Sequence, residues 1–328
     1  MKKSISVVIP NYNGRKLLEM YLPSVMEALR NADVPFELIV VDDCSKDESV
    51  CFLRGNYPEA IVLVNSKNHG FSYTCNQGIK VAKMELTFLL NSDVQLTPDY
   101  FAGQWKYFQY NDTFGVMGRI MSKDGQRIED AARILFYKGC KIKANRFYYS
   151  TDVNHISYTA YLSGANALVD TRKLKELGGF DEIYSPFSSE DSDLSTRAWL
   201  IGWKCYYEHS SVCYHQVSGS IKNNIRAKLV STVYFRNRFV FQQSHLSGFR
   251  AFVLPLYILV VQVIAKTLIG KLWIWKSYFE YLKMSDQIKR SKQRFSHIKS
   301  RHASSRRLED IMSIINTCIQ GKQTIKLH

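Results

Sequence analysis

Three short apolar runs, each ending in an amide or a carboxylate, restrict this chain more than any other feature of it. Ile5 to Ile9 leads through Pro10 into Asn11, Phe36 to Val41 into Asp42-Asp43, and Thr87 to Leu90 into Asn91-Ser92-Asp93. Runs this short, rich in β-branched residues and apolar on both faces, predict buried parallel strands. Ala60 to Val64 predicts another strand. Between the first two strands, Leu17, Leu18, Tyr21, Leu22, Val25 and Leu29 recur at helical spacing over residues 16–30. Strands alternating with helices imply an α/β fold with a mostly parallel, Rossmann-type sheet covered by helices on both faces. Ligands of such sheets gather beyond the carboxyl ends of the strands, where these polar residues fall. With 328 residues, 46% hydrophobic and 22% charged, the chain can bury one large core, or a core with an appendage.

The chemistry follows from what stands at that rim. No GxGxxG turn and no GxxxxGK[ST] loop is present, which weighs against nicotinamide dehydrogenases and P-loop enzymes. A phosphate-bearing ligand would then be held by a metal and polar side chains. Asp93 is a hard oxygen donor suited to Mg2+ or Mn2+. Asp42 or Asp43 can accept hydrogen bonds from a nucleobase or ribose, and Tyr12 can pack on a ring. The segment Asn65 to Gly78 offers Asn68, His69 and Asn76 to a sugar or phosphates, and Gly70 permits close backbone approach. A third acidic cluster, Glu190-Asp191-Ser192-Asp193, can supply a base. Plainer roles compete at each position. Asp43 and Ser45 can cap the next helix, Asn91-Ser92-Asp93 can cap a turn, and residues 65–78 can be a polar loop. The Glu190–Asp193 carboxylates suit the first turn of a helix, a role preferred for Asp193. His215 can be a packed residue of a strand.

The ordered set of motifs resembles the inverting glycosyltransferases of family 2, with the GT-A fold, particularly their bacterial rhamnosyltransferase-like branch. The matching pieces are Val8-Ile9-Pro10-Asn11-Tyr12-Asn13-Gly14, Val41-Asp42-Asp43-Cys44-Ser45, Asn68-His69-Gly70-Phe71 and Leu89-Leu90-Asn91-Ser92-Asp93. Further on come Gly178-Gly179-Phe180-Asp181-Glu182, Glu190-Asp191-Ser192-Asp193-Leu194, Arg197-Ala198-Trp199, Gly202-Trp203-Lys204 and His215. The resemblance implies a nucleotide-sugar pocket drawn from Pro10, Tyr12, Asp42, Asn68, Gly70, Asn76 and Ser92, with Asp42 on the base. It implies a divalent metal, Mg2+ or Mn2+, on Asp93 and His215. It also implies Asp191 as catalytic base, with Glu190 arranging the acceptor. Asn91 stands at the first acidic position of the metal motif, and Ser189 replaces the usual aromatic before the Glu-Asp pair. The donor expected is UDP- or dTDP-linked, and the acceptor a saccharide or a polyprenyl-diphosphate-linked glycan of bacterial surface polysaccharide synthesis.

Residues 1–240 are expected to form the catalytic domain, and residues 241–328 a helical extension, first hydrophobic and then basic. Residues 121–160 are expected to form a strand-and-loop insertion, irregular around 138–154, near the acceptor. The net charge is +15, and residues 283–328 supply eleven Lys or Arg against three Asp or Glu. Residues 251–265 are apolar but shorter than the roughly 20 residues of a comfortable span. Basic flanks on both sides favour an amphipathic or re-entrant helix on an anionic membrane surface. The protein core or a second copy of the chain, in a homo-oligomer, are the other candidate covers. A nucleic-acid-binding role for the basic tail is disfavoured, since aromatic residues are sparse there and no known module is present. A membrane-assembly scaffold without catalysis is the other rival. The N-terminal apolar run breaks at Pro10, too early for a signal peptide, and the seven cysteines lack metal-site spacing. The chain is therefore expected to remain in the cytoplasm, and its apolar and basic tail is expected to hold it peripherally on the inner face of the bacterial cytoplasmic membrane.

Overall fold

A computed structural model describes residues 2–152, 154–216, 224–320 and 325–327. The first half follows the strand-helix alternation: β1 (Ile5–Asn11), α1 (Arg15–Ala32), β2 (Phe36–Asp42), α2 (Ser49–Asn56), β3 (Ile61–Val64), α3 (Phe71–Val81) and β4 (Leu86–Leu90). β1 pairs in parallel with β2 and β4, and β2 with β3. The register sets Asn11 beside Asp42, so the two strands end together at the polar rim.

The next elements are β5 (Val94–Leu96), β6 (Thr113–Ser122), β7 (Ile128–Asp130), β8 (Ala132–Lys138), β9 (Lys141–Tyr149), β10 (Ser157–Tyr158) and β11 (Asn166–Asp170), then α4 (Thr171–Glu176), α5 (Glu190–Leu200) and β12 (Lys204–His215). The main sheet runs β10-β12-β6-β11-β4-β1-β2-β3, with β5 and β7 beside β12 and β6. β11 is antiparallel to both β4 and β6, and β12 is parallel to β6. Six of the eight strands on this path therefore share one direction, the mostly parallel sheet that the sequence predicts.

β8 and β9 form a hairpin in a second sheet with β13 (Ile325–Leu327). Residues 141–149, expected to be irregular, are regular strand. Only Ile142 and Tyr148 of β9 are fully buried, so Lys141, Lys143, Asn145 and Arg146 mask the alternation in the sequence.

The C-terminal helices are α6 (Asn224–His245), α7 (Gly248–Tyr257), a π-helical stretch (Ile258–Ile264), α8 (Ala265–Leu268), α9 (Ile274–Lys283), α10 (Ser285–Arg301) and α11 (Leu308–Ile319). A cut at residue 240 falls inside α6. Val240, Leu254, Tyr281 and Ile311 share a buried cluster with Val8 and Trp199, so these helices complete the core.

α7, the π-helical stretch and α8 form one rod, Gly248–Leu268, of 21 residues, with a mean hydropathy of 2.0 over an 18-residue stretch of it. It is longer than the expected apolar segment because Lys266 continues the helix. By length and composition it is long and apolar enough to cross a membrane. The ladder loosens to π geometry just after Pro255, which has no N–H to donate. Leu254, Ile258 and Val263 face the core, whereas Phe249, Phe252, Leu256 and Leu268 are 66–83% exposed.

Candidate active site

The carboxyl ends of β1 and β2 interlock. Asn11 Nδ2 donates to Asp42 Oδ2 at 2.8 Å, and the Ser45 N–H donates to Asp42 Oδ1 at 2.8 Å. Asp42 is thus buried and holds the turn after β2. Asp43 accepts from the backbone N–H groups of His69 and Gly70 at 2.9 and 2.8 Å, and from Asn65 Nδ2 at 2.8 Å. It shapes the β3–α3 loop instead of capping α2, a role that falls to Asp47, which accepts from the Ser49 N–H at 3.1 Å. Pro10 is half-buried, while Tyr12 and Asn68 are exposed at this rim. Gly70 has φ +86°, and a Cβ there would meet Pro186 Cα at 2.7 Å. Only glycine lets the two loops touch.

The second corner lies after β4. A Cβ on Gly14 would sit 3.6 Å from Ser92 Oγ, which puts the turns after β1 and β4 against each other. Asp93 Oδ2 lies 3.5 Å from His215 Nε2, the last residue of β12. The other ring nitrogen, Nδ1, lies 3.3 Å from Glu129 Oε2 on β7. Asp93 beside it raises the imidazole pKa above its ordinary value, with Glu129 adding to the effect against burial. Among the described residues no three metal-binding side chains converge on one point. The pair nevertheless fits a Mg2+ or Mn2+ that arrives with a diphosphate, since one carboxylate and one imidazole leave positions for phosphate and water oxygens. Glu129 orients the imidazole from behind.

The third corner is the start of α5. Ser188 and Ser189 enter the helix with φ +81° and +77°, a conformation that L-residues other than Asn and Asp rarely adopt. It is held from a distance: Asn237 of α6 donates to the carbonyls of Phe187 and Ser188 at 2.8 and 3.0 Å. Glu190 and Asp191 are thereby turned inward. Glu190 Oε2 and Asp191 Oδ1 are buried without a protein hydrogen-bond partner. Burial raises the Asp191 pKa against the opposing pull of the Gly164 backbone N–H and then of Arg133, and it raises Glu190 further, with the Asp191 charge adding to it. Both carboxylates line a cavity of about 430 Å³ whose other walls include Arg133, Tyr161, Lys143 and Arg238. The loop before β11 closes on Asp191: a Cβ on Gly164 would lie 2.6 Å from Asp191 Oδ1 and 3.2 Å from Phe71 Cζ. The buried Cys75 thiol is pushed up by desolvation and then by Asp191, Glu190 and Asp43, which places the α5 corner within electrostatic reach of the β2 rim.

Two residues stand apart from this constellation. The Asn76 side chain donates to Phe180 O at 2.9 Å and Glu182 Oε1 at 3.0 Å and accepts from the Phe180 N–H at 2.9 Å. It clasps α3 to the Gly178–Glu182 loop and does not join the rim. Asp193 is no solvated helix cap. It is buried against Arg197 Nε at 2.7 Å, His245 Nε2 at 2.7 Å and Tyr184 Oη at 3.1 Å. Burial works to raise its pKa, but Arg197 and His245 outweigh this and hold it at about 2. Trp199 and Trp203 are buried in the core. Glu129, Arg133 and Asn237 escaped the sequence reading. Arg133, stacked between Phe147 and Tyr161 at 4.5 and 4.4 Å, had only its lone charge in an apolar run as a signal.

The family model of glycosyl transferase family 2 matches residues 6–178, a little over half of the chain. The chain belongs to glycosyltransferase family 2. It is 31% identical over 102 residues to an undecaprenyl-phosphate 4-deoxy-4-formamido-L-arabinose transferase of Pseudomonas syringae, covering 30% of this chain and 30% of that protein. It is 26% identical over 216 residues to the O-antigen chain rhamnosyltransferase RfbN of Salmonella typhimurium, covering 64% of this chain and 66% of that one. Each match thus spans less than two thirds of the relative. Among solved structures, GalNAc-T7 with UDP, GalNAc and Mn2+ superposes with a TM-score of 0.64 at 14% identity, over 97% of this chain and 57% of that one. A mannosyltransferase of Pyrobaculum calidifontis with GDP-Man and Mn2+ gives 0.55 at 15% identity, over 91% and 87%. The fold is GT-A.

Proposed function

We propose that the protein moves a sugar from a UDP- or dTDP-linked donor to a hydroxyl of a saccharide or lipid-linked acceptor, with inversion at the anomeric carbon. The observation that carries this reading is the buried Asp191 carboxylate, with one oxygen unpartnered, in a cavity beside the nucleotide rim. Burial raises both carboxyl groups, and the Asp191 charge raises Glu190 further, so the pair holds one proton between them near neutral pH, with Glu190 as its carrier. Two carboxyl groups driven apart in this way divide into a base and a hydrogen-bond donor. Asp191 takes the acceptor hydroxyl proton as that oxygen bonds to the anomeric carbon. The bond from that carbon to the diphosphate breaks on the opposite face, and the nucleoside diphosphate leaves with the electron pair. Glu190, as a neutral acid, orients the acceptor. The resident residues Asp93 and His215 would hold a divalent cation, which supplies charge neutralisation for the departing diphosphate.

The acceptor class and location draw on the relatives, whose printed names include an undecaprenyl-phosphate transferase and an O-antigen chain rhamnosyltransferase. The outward apolar face of the rod suits a peripheral site on the inner face of the bacterial cytoplasmic membrane. A calorimetric screen against UDP-, dTDP- and GDP-sugars, with and without Mn2+, tests the donor reading. Selective, metal-dependent binding is expected; a folded protein that binds none of them contradicts it.

A further inference from the structure

Four cations that have no carboxylate partner among the described residues join the Asp191 cavity to the apolar rod. Lys143 of β9 and Arg238 of α6 line the cavity itself. Lys141 Nζ stands 5.2 Å from the Tyr257 ring centroid on the rod, and Lys266 Nζ, on the rod, stands 4.8 Å from the Phe235 centroid on α6. Arg238 lies over the Tyr234 and Phe235 rings at 5.3 and 6.0 Å. Among the described residues none of the four forms an ion pair. They press on one another instead. Burial lowers the Lys141 pKa to about 8, and Lys143, Arg238, Lys266 and Lys138 add to the shift. Lys143 and Lys266 are lowered by the same two causes, burial first. A fold that gathers half-buried like charges and gives them no counterion leaves them for an anion from outside.

Their order along the surface says which anion. Starting from the base, the molecule presents a polar cavity, then the cations, then exposed Leu256, Val260 and Ile264. A lipid-linked glycan has the same sequence of chemistry: hydroxyl-bearing sugar, diphosphate, polyprenyl chain. We propose that Lys141, Lys143, Arg238 and Lys266 bind the diphosphate of a polyprenyl-diphosphate-linked acceptor, with its sugar in the Asp191 cavity and its lipid along the outward face of Gly248–Leu268. This deepens the acceptor reading above and rests on it. Arg238 supplies a planar donor fork for phosphate oxygens, and the lysines supply point charges.

The test uses the full chain in neutral detergent micelles, with farnesyl diphosphate, farnesol and inorganic pyrophosphate as probes, beside phosphatidylcholine vesicles with and without phosphatidylglycerol. Wild type is expected to bind farnesyl diphosphate at least tenfold more tightly than farnesol. Lys143→Gln with Arg238→Gln is expected to lose at least tenfold of that affinity while keeping metal-dependent nucleotide binding. Lys141→Gln with Lys266→Gln, away from the cavity walls, is expected to weaken farnesyl diphosphate without lowering Tm, because each change relieves repulsion. Unchanged farnesyl diphosphate affinity in both folded variants overturns the proposal. So does a patch that responds to phosphatidylglycerol vesicles and ignores the soluble diphosphates, since it would then read bulk lipid headgroups. Nucleotide binding measured in the same samples keeps a failure of the donor reading separate: diphosphate binding without nucleotide binding sinks the latter and upholds the site.

Discussion

Replacing Asp193 by Ala should unfold the chain more readily without touching the chemistry directly. Its carboxylate binds Arg197, His245 and Tyr184 within 3.1 Å, and the Asp193 and His245 side chains are each 3% exposed. Removing it leaves the buried Arg197 guanidinium with the Leu177 and Gly179 carbonyls at 2.9 Å but no counter-charge. Breaking a buried pair from one side costs about 3–5 kcal/mol. For 328 residues the unfolding entropy at Tm is about 0.7 kcal/mol per kelvin, so Tm should fall by about 4–7 °C. Linkage gives a second handle. The folded pKa of about 2 lies below the ordinary 3.8, so the stabilisation is complete above pH 4 and disappears as pH falls towards 2. That difference is worth about 2 kcal/mol. Calorimetric scans at pH 7 and pH 3 read both effects. A variant melting within 1 °C of wild type at pH 7 would refute the assignment of Asp193 to structure.

Glu129→Gln should keep the fold and weaken Mn2+ affinity in the presence of nucleoside diphosphate by about 10- to 100-fold, read by calorimetry, because His215 loses its orienting carboxylate; equal affinity would show that Glu129 is a bystander. The transfer rate should fall on the acid side, where the raised Asp191–Glu190 pair takes up a second proton, and decline again on the alkaline side, where the pair loses the proton it shares. A flat profile from pH 5 to 9 contradicts that division of labour. Changing Phe249, Phe252 and Leu268, 77–83% exposed, to Ser should leave Tm nearly unchanged and abolish flotation with anionic vesicles. Retained flotation moves the membrane contact off the rod.

The parallel half of the sheet, β1 to β4, was legible because each strand is short and apolar and is followed closely by polar residues. The residues at the ends of β1, β2 and β4 meet in the fold as the periodicity implies, and β12 brings His215 to Asp93 from more than a hundred residues away. The surroundings of Asp191 were less legible. β9 covers the core with two side chains and turns lysines and Asn145 elsewhere, so its alternation vanishes in a polar stretch. Glu129 lies on a three-residue strand, too short for any pattern. Asn237 acts on a loop fifty residues earlier in the chain, and no local signal marks it. Asn76 and Asp193 went the other way: polar residues near functional motifs whose hydrogen bonds are spent inside the protein. In the rod, core-facing and outward residues are equally apolar, so only the packing distinguishes Leu254 from Leu256.

The most direct test of the central claim compares Asp191→Asn with wild type in two assays on the same samples. One measures metal-dependent nucleotide-sugar binding, and the other transfer of labelled sugar to bacterial lipid-linked glycan extract. The variant keeps the shape of the cavity and loses the proton acceptor. The expected result is donor affinity within about threefold of wild type and transfer reduced by at least about 100-fold, the lower range of a general base's contribution. Transfer within a few fold of wild type would mean that another group takes the proton, and the assignment of Asp191 as base would fall.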